Sequence, residues 1–415
     1  MTGADAGSKP LPALLARVFV PFALGYFLSF GLRTVNSVIA TDLAADVGLS
    51  AQGLGLLTST FFLSFAAMQL PLGMLLDRFG PRRVEALLLL VAAAGCLLFA
   101  TGATLAPLTA ARALMGAGVA PCMMASFIAF TLWFPAARLP LVNALFLSLG
   151  ACGALAATGP VEWLLGFAGW RELFIGIAVF AVLLAALLWR VVPEHSTSDE
   201  SAPARALLRG VAQVLRSRYF WSLAPITALS QGVFLAAQGL WAGPWLRDVA
   251  QLDRAAAASV LTFMSLAIVL GFAASGTIAD RLARRGVTPL AVAMAGMAGM
   301  LATLAVLASG TREAVTLTWA AFGFFGTAGT LCYAALSQHF PRALAGRANT
   351  ALNLLVFVMA FLLQWGIGLV LGQFNVPEGA HYAPRGYQLA FALITAAQLL
   401  ALLWFLWFRP RERAG

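Results

Sequence analysis

The sequence predicts an all-α membrane protein: twelve transmembrane helices forming two pseudo-symmetric six-helix bundles. Three observations lead there. Of 415 residues, 61% are apolar and 10% are charged, with 26 basic and 16 acidic side chains. A soluble domain averages roughly 45–50% apolar and about 25% charged. The apolar residues are gathered into twelve runs, and a helix needs about 20 such residues to cross a bilayer. The basic residues, finally, fall very unequally into alternate gaps between the runs. This composition excludes an ordinary soluble enzyme and a disordered chain. It also argues against an outer-membrane barrel, whose strands alternate polar and apolar residues.

The runs, numbered as spans 1 to 6, fall at 15–43, 53–76, 84–103, 106–133, 140–165 and 170–192. Spans 7 to 12 follow at 219–246, 255–279, 287–309, 313–339, 347–374 and 386–408. The expected organisation is therefore a first half at 1–192, a linker at 193–218 and a second half at 219–415. The linker, PEHSTSDESAPARALLRGVAQVLRSR, opens acidic and Ser-rich and ends basic and mildly amphipathic. It reads as a cytoplasmic connection whose basic part lies on the membrane surface. Span 1 is too long for the apolar region of a cleaved signal and is expected to be retained.

With both termini in the cytoplasm, 19 of the 26 basic residues, Lys9 included, face the cytoplasm. Five (Arg171, Arg247, Arg254, Arg312 and Arg385) lie outside, and Arg33 and Arg112 lie within spans. This is the positive-inside distribution. It predicts a multi-pass protein of the cell inner membrane, and it explains the net charge of +10 without any nucleic-acid partner. Cys96, Cys122, Cys152 and Cys332 all sit in apolar runs without metal-ligand spacing and read as buried thiols. The single lysine, at position 9, leaves no phosphate-loop lysine, and HExxH, GxSxG and SxxK motifs are missing. The chain is thus expected to be neither an ATPase nor an enzyme, to need no cofactor or metal, and to act as a monomer on a small-molecule substrate in the lipid bilayer. His195 and His381 fall in loops and His339 ends span 10, so none is placed as a proton relay.

The two halves repeat. GMLLDRFGPRR at 73–83 matches GTIADRLARRG at 276–286, pairing Gly73 with Gly276, Asp77 with Asp280 and Arg78 with Arg281 at an offset of 203. Leu43 and Leu49 pair with Leu246 and Leu252 at the same offset; Phe134-Pro135 and Asn143 pair with Phe340-Pro341 and Asn349 at 206. Parallel repeats of this kind place a substrate site near the bilayer midplane. The loop residues Gly73, Asp77, Arg78, Gly80, Arg82 and Arg83, with their second copy, resemble the loop between spans 2 and 3 of the major facilitator superfamily. The likeness covers nearly the whole chain. The second copy departs from the pattern, since Leu282-Ala283 precedes Arg284-Arg285 and Gly286 comes late.

The resemblance implies that Asp77 caps the start of span 11 near Ala348-Asn349, and that Asp280 caps the start of span 5 near Pro140. Physically, a helix N-terminus offers partial positive charge and free N–H groups to such an acid, and a glycine in span 2 lets another helix approach. The bland alternative is two solvated turns that only satisfy the positive-inside rule.

In span 4, Arg112, Gly116, Gly118 and Pro121 in RALMGAGVAP resemble the superfamily motif built on a buried arginine and small residues. Arg112 lies about two turns into the helix, where a charge needs a partner or a wet cavity; the alternative is an arginine snorkelling to the outer interface. In span 1, Tyr26, Phe30, Arg33 and Ser37 share one helical face, with Asn36 adjacent. An intramembrane arginine beside aromatic and amide groups suits a carboxylate or phosphate. The stretch resembles span 1 of the organophosphate–phosphate antiporter branch. Span 7 here lacks that branch's second arginine and offers Gln231, Phe234, Gln238 and Trp241 on one face, which favours a smaller or singly charged solute. Helix-to-helix bonding is the other role open to Arg33. Asn143, Asn349 and Asn353 read as hydrogen-bonding glue between helices.

The expected function is secondary active transport of a small organic anion by alternating access. The alternative in the same fold is a proton-coupled efflux pump for amphipathic or drug-like compounds, which calls for a buried carboxylate at the centre. Only Glu162 and Asp42 read as titratable groups within the outer half, Glu85 being placed at the inner end of span 3. A membrane enzyme or sensor on the same scaffold would need a catalytic cluster or an output domain, and no gap exceeds the 26-residue linker.

Overall fold

The computed structural model describes residues 11–135, 138–193, 204–374 and 382–408. Lys9, His195 and His381 lie outside them. Among the described residues, twelve helices are long and apolar enough to cross a membrane. Spans 1 to 6 are Pro12–Thr34, Ala51–Gln69, Pro71–Thr101, Leu105–Trp133, Leu141–Leu165 and Trp170–Val191. Spans 7 to 12 are Arg218–Asp248, Arg254–Ala283, Pro289–Ser309, Val315–His339, Leu344–Leu371 and Pro384–Phe408. The six-plus-six pattern of apolar runs is thus the pattern of helices.

The largest departure from the predicted boundaries is in span 1. Its α-helix, Val20–Thr34, is interrupted at Val35, and a separate helix follows at Asn36–Val47. Side chains support the break: Thr34 Oγ1 donates to the Phe30 carbonyl at 3.1 Å and Ser37 Oγ to the Thr34 carbonyl at 2.7 Å. Ser37 is thereby turned onto its own backbone.

The backbone is helical from Ala51 to Thr101 except at Gly80, whose φ of 76° and ψ of 161° make the turn, so the apolar stretch Pro71–Thr101 holds both the end of the span 2 leg, up to residue 79, and the leg that runs back. Pro81 then starts the next helical leg. This backbone region is essentially reserved for glycine. Gly80→Ala is expected to lower stability by about 1–3 kcal/mol, read as earlier thermal unfolding in detergent.

By its contacts the chain divides into two units, Met1–Asp42 with Thr60–Ser201 and Leu43–Ser59 with Ala202–Gly415. Residues 43–59, which belong to the first sequence half, group with the second unit because the start of span 2 packs on span 11 without side chains between. A Cβ on Gly55 would stand 3.1 Å from the Gln364 carbonyl oxygen, and one on Gly368 would stand 2.6 Å from that of Ala51. The basic part of the linker forms a helix, Ala204–Leu215, whose Gly210 lies against the Arg347 side chain of span 11.

Candidate functional site

In the first unit the site is built at the end of the first helical leg of span 1. Arg33 stands two residues before the interruption and is buried, with 8% of its surface exposed. Its Nη2 donates to Ser29 Oγ at 3.1 Å. The guanidinium lies over the Phe30 ring at 5.1 Å and the Phe65 ring at 4.7 Å. Each such contact contributes about 0.5–2 kcal/mol depending on desolvation, so the rings orient the charge. Tyr26 meets Phe30 edge to face at 5.0 Å and stacks on Phe146 at 4.5 Å. Span 5 admits this ring because position 150 is glycine; a Cβ there would run into it. The Tyr26 hydroxyl points to Met123 Sδ at 3.7 Å. Tyr26, Phe30 and Arg33 are therefore brought together, with Tyr26 as a buttress. Asn36 is buried just beyond the break.

Arg112 of span 4 does not snorkel. It is 1% exposed, and its Nη1 donates to the Leu32 carbonyl of span 1 at 3.0 Å, beside Arg33 and the interruption. Its guanidinium lies over the Phe61 ring at 4.8 Å. The glycines of the same helix permit this closeness. A Cβ at Gly116 would meet the Phe61 carbonyl group and Ser64, and one at Gly118 would come within 2.7 Å of Ala92 Cα.

In the loop motif the geometry differs from expectation at two glycines. Among the described residues nothing lies within 4 Å of where a Cβ would stand on Gly73 or Gly276, so neither is a close-packing position here. The glycine that the backbone requires is Gly80. Arg82 donates to the Trp189 carbonyl and lies over the Trp189 ring at 5.6 Å, pinning the turn to the end of span 6. Arg78 covers Phe79 at 5.2 Å; Asp77 and Arg83 are exposed. In the second copy Asp280 and Arg281 are exposed, and the Asp280 carboxylate accepts Arg284 Nη2 at 2.8 Å within its own helix.

The second unit carries the span 7 residues. Here the α-helix Arg218–Ala236 passes into a π-helical turn, Ala237–Trp241. Such turns recur at functional sites. The extra residue rotates the remainder of the helix by roughly 100°, so the predicted common face of Gln231, Phe234, Gln238 and Trp241 does not run through. Gln231 Nε2 donates to the Gly326 carbonyl of span 10 at 2.7 Å. Gln238, in the π turn, is buried, and its amide nitrogen has no hydrogen-bond partner among the described residues. Trp241 is wholly buried and donates from Nε1 to the Gln364 carbonyl at 2.8 Å, while Gln364 Nε2 returns to the Ala236 carbonyl at 3.3 Å. Trp241 thus joins spans 7 and 11. Tyr333 donates to Asn353 Oδ1 at 3.1 Å and Asn349 Nδ2 to Ser337 Oγ at 2.9 Å, joining spans 10 and 11 as expected of glue residues.

The two interruptions correspond. The repeat offset of 203 carries Val35 onto Gln238, inside the π turn. At both places a side chain from another span bonds a backbone carbonyl at the irregularity: Arg112 to Leu32 in the first unit, Gln364 to Ala236 in the second.

Two buried acids stand out, the second of them missed by the sequence reading. Glu85, expected at the inner end of span 3, lies a full turn inside because the helix restarts at Pro81, and is 0% exposed. Asp248 lies two residues past the predicted end of span 7, where it looks like loop; it is buried as the last residue of that span. Its Oδ2 accepts the Tyr387 hydroxyl at 2.7 Å and the Tyr382 backbone N–H at 3.1 Å, tying span 7 to the start of span 12. Burial first, and then the Asp248 charge, push the Tyr382 phenol up from 10.0 to about 12. Asp248→Asn is expected to cost about 1.5–3 kcal/mol of charge-assisted bonding. It should also bring the Tyr382 titration part of the way down, seen by ultraviolet titration of tyrosinate. The folded protein holds this phenol protonated beyond the pH at which an unfolded one ionises. Alkaline pH from about 10 upward therefore works against the fold here, and the substitution narrows that window from its upper end.

The chain is similar to the probable sulfoacetate transporter SauU of Cupriavidus necator, 26% identical over 287 residues, covering 63% of this chain and 64% of that protein. It is also similar to the probable galactarate/D-glucarate transporter GudP of Bacillus subtilis, 29% identical over 188 residues, covering 43% of this chain and 41% of that one. A solved bacterial homologue of the human lysosomal transporter Spinster superposes with a TM-score of 0.74 at 17% identity, over 96% of this chain and 98% of that one. That likeness speaks for the fold. The family model of the Major Facilitator Superfamily matches residues 22–364, most of the chain. With twelve helical spans, the repeated loop motif and that match, the chain belongs to the major facilitator superfamily of membrane transport proteins.

Proposed function

We propose that the chain carries a small organic anion, a carboxylate or sulfonate, by alternating access as a secondary transporter of the inner membrane, with cytoplasmic termini and as a monomer. The observation that carries this reading is Arg33: a buried guanidinium, oriented by Phe30 and Phe65, beside the interruption of span 1. A planar, permanently charged fork of donors suits a planar or tetrahedral anion. Tyr26 and Asn36 shape its surroundings, and Gln238, with Gln231 and Trp241 of span 7, is proposed to contribute neutral contacts. Relatives named for sulfoacetate and for galactarate or glucarate support the solute class. A pump for amphipathic cations would want an ionised acid open to its solute; Asp248, buried in the second unit, is engaged by Tyr387 and Tyr382. Asp77, Asp280 and the arginines about them are proposed as gate elements. The test is uptake into proteoliposomes under imposed pH and voltage gradients, offering sulfoacetate, D-glucarate, inorganic phosphate and a lipophilic cation. Uptake of the cation alone would refute the anion reading.

A further inference from the structure

We infer that Glu85 is a proton-binding site of the transport cycle, a carboxylic acid held neutral in the interior of the first unit that releases and regains a proton as solute moves. This rests on the transporter reading above. Glu85 is 0% exposed, and among the described residues the Cys122 thiol, a weak donor, is the side chain placed to bond its carboxyl group. An ionised carboxylate in such surroundings would carry a desolvation cost far larger than any single contact returns, so the group binds a proton instead. Its position is enforced. The carboxyl lies directly on the backbone of span 1 at Gly25, where a Cβ would overlap Oε1, and Cys122 Sγ stands 3.7 Å from that same Cβ position.

The cover over Glu85 is span 1, the helix that carries Arg33 eight residues beyond Gly25, about 12 Å along its axis. A solute that draws on Arg33 displaces the helix that keeps Glu85 dry. Once wetted, the acid O–H breaks heterolytically, the proton passes to water and the carboxylate remains. When span 1 returns, the carboxylate must take up a proton before it can be buried again. Among the described residues the titratable groups about it are few. Cys122 of span 4 stands within electrostatic range of Glu85 on one side and of Tyr26 and Arg33 of span 1 on the other. On its own helix Arg82 is turned to the Trp189 carbonyl of span 6 and Arg83 is exposed. Span 6 brings Arg171 to the far end of span 3, at the Gly102 carbonyl.

Two measurements on the full-length purified protein test this. Infrared difference spectra of wild type minus Glu85→Gln at neutral pH should show a protonated carboxyl C=O band that shifts in heavy water; its absence overturns the proposal. In proteoliposomes, with sulfoacetate as the probe, Glu85→Gln should keep counterflow exchange and lose accumulation driven by a pH gradient, while Glu85→Asp should retain both. Accumulation by Glu85→Gln equal to wild type overturns it as well. If Glu85→Gln does not fold, Glu85→Asp in the same two assays decides, since a displaced but still titratable acid should keep pH-driven accumulation and the C=O band. A wild type that moves sulfoacetate under no gradient counts against the anion reading alone, and the carbonyl band still decides whether Glu85 holds the proton.

Discussion

Replacing Arg33 by Gln is expected to lower the affinity for the proposed organic anion by about ten- to a hundredfold, the loss for one desolvated, charge-assisted contact of roughly 1.5–3 kcal/mol. Arg33→Lys recovers part of it, because lysine keeps the charge and forfeits the planar fork. The rings of Phe30 and Phe65 sharpen the contrast. They hold a flat guanidinium by its face, and an ammonium in the same space lacks the stacked orientation. Measuring the half-saturation constant of counterflow for the three proteins checks this directly. Wild-type affinity in Arg33→Gln would remove Arg33 from the solute site and leave it as a structural cation bonded to Ser29.

Gly116→Val is expected to have the largest effect on folding. The Cβ alone would press on the Phe61 carbonyl group and Ser64 of span 2, and backbone cannot yield as a side-chain tip can. Overpacking of this kind costs about 1–3 kcal/mol and occasionally more. The same displacement would part Arg112 from the Phe61 ring it covers at 4.8 Å. Gly73→Ala is the internal control. It belongs to a motif glycine too, but its space is open, and alanine in a helix at an unstrained site is neutral or stabilising by about 0.4–1 kcal/mol. Thermal unfolding and size-exclusion profiles in detergent should separate the two variants. Equal behaviour would mean that the closeness of spans 2 and 4 is not what stabilises the unit.

The helices were legible because lipid demands long apolar runs, and nothing subtler than hydropathy is needed to find them. Arg33 and Arg112 were legible for the converse reason: a charge inside such a run stands out. What the residue string could not convey was commitment. Trp241 and Gln231 look alike as cavity-facing groups at helical spacing, yet each donates to a carbonyl of another span, a bond that depends on tertiary packing. The π turn at Ala237–Trp241 has no residue signature of its own, and it altered which residues share a face. Asp248 was misplaced by two residues at a helix end, where charge next to a boundary reads as solvent, and Glu85, read at the inner end of span 3, sits a turn deeper. Gly73 and Gly80 illustrate the limit within one motif. Both are glycine in the same loop pattern, and only backbone dihedral angles distinguish the one that must be glycine.

The corresponding irregularities of spans 1 and 7 also bear on ancestry. Two copies of a six-helix gene that diverged from a common parent inherit its backbone before they acquire their separate chemistries. Val35 and Gln238 occupy the same place in that parent, and both sit in a helix that loses its regular turn. A weak point in the parent helix would account for both, whatever residue each copy now carries beside it, Arg33 in one and Ala236 in the other. A weak point duplicated in this way leaves each copy one helix that can bend, beside a buried guanidinium in the first and beside neutral amides in the second.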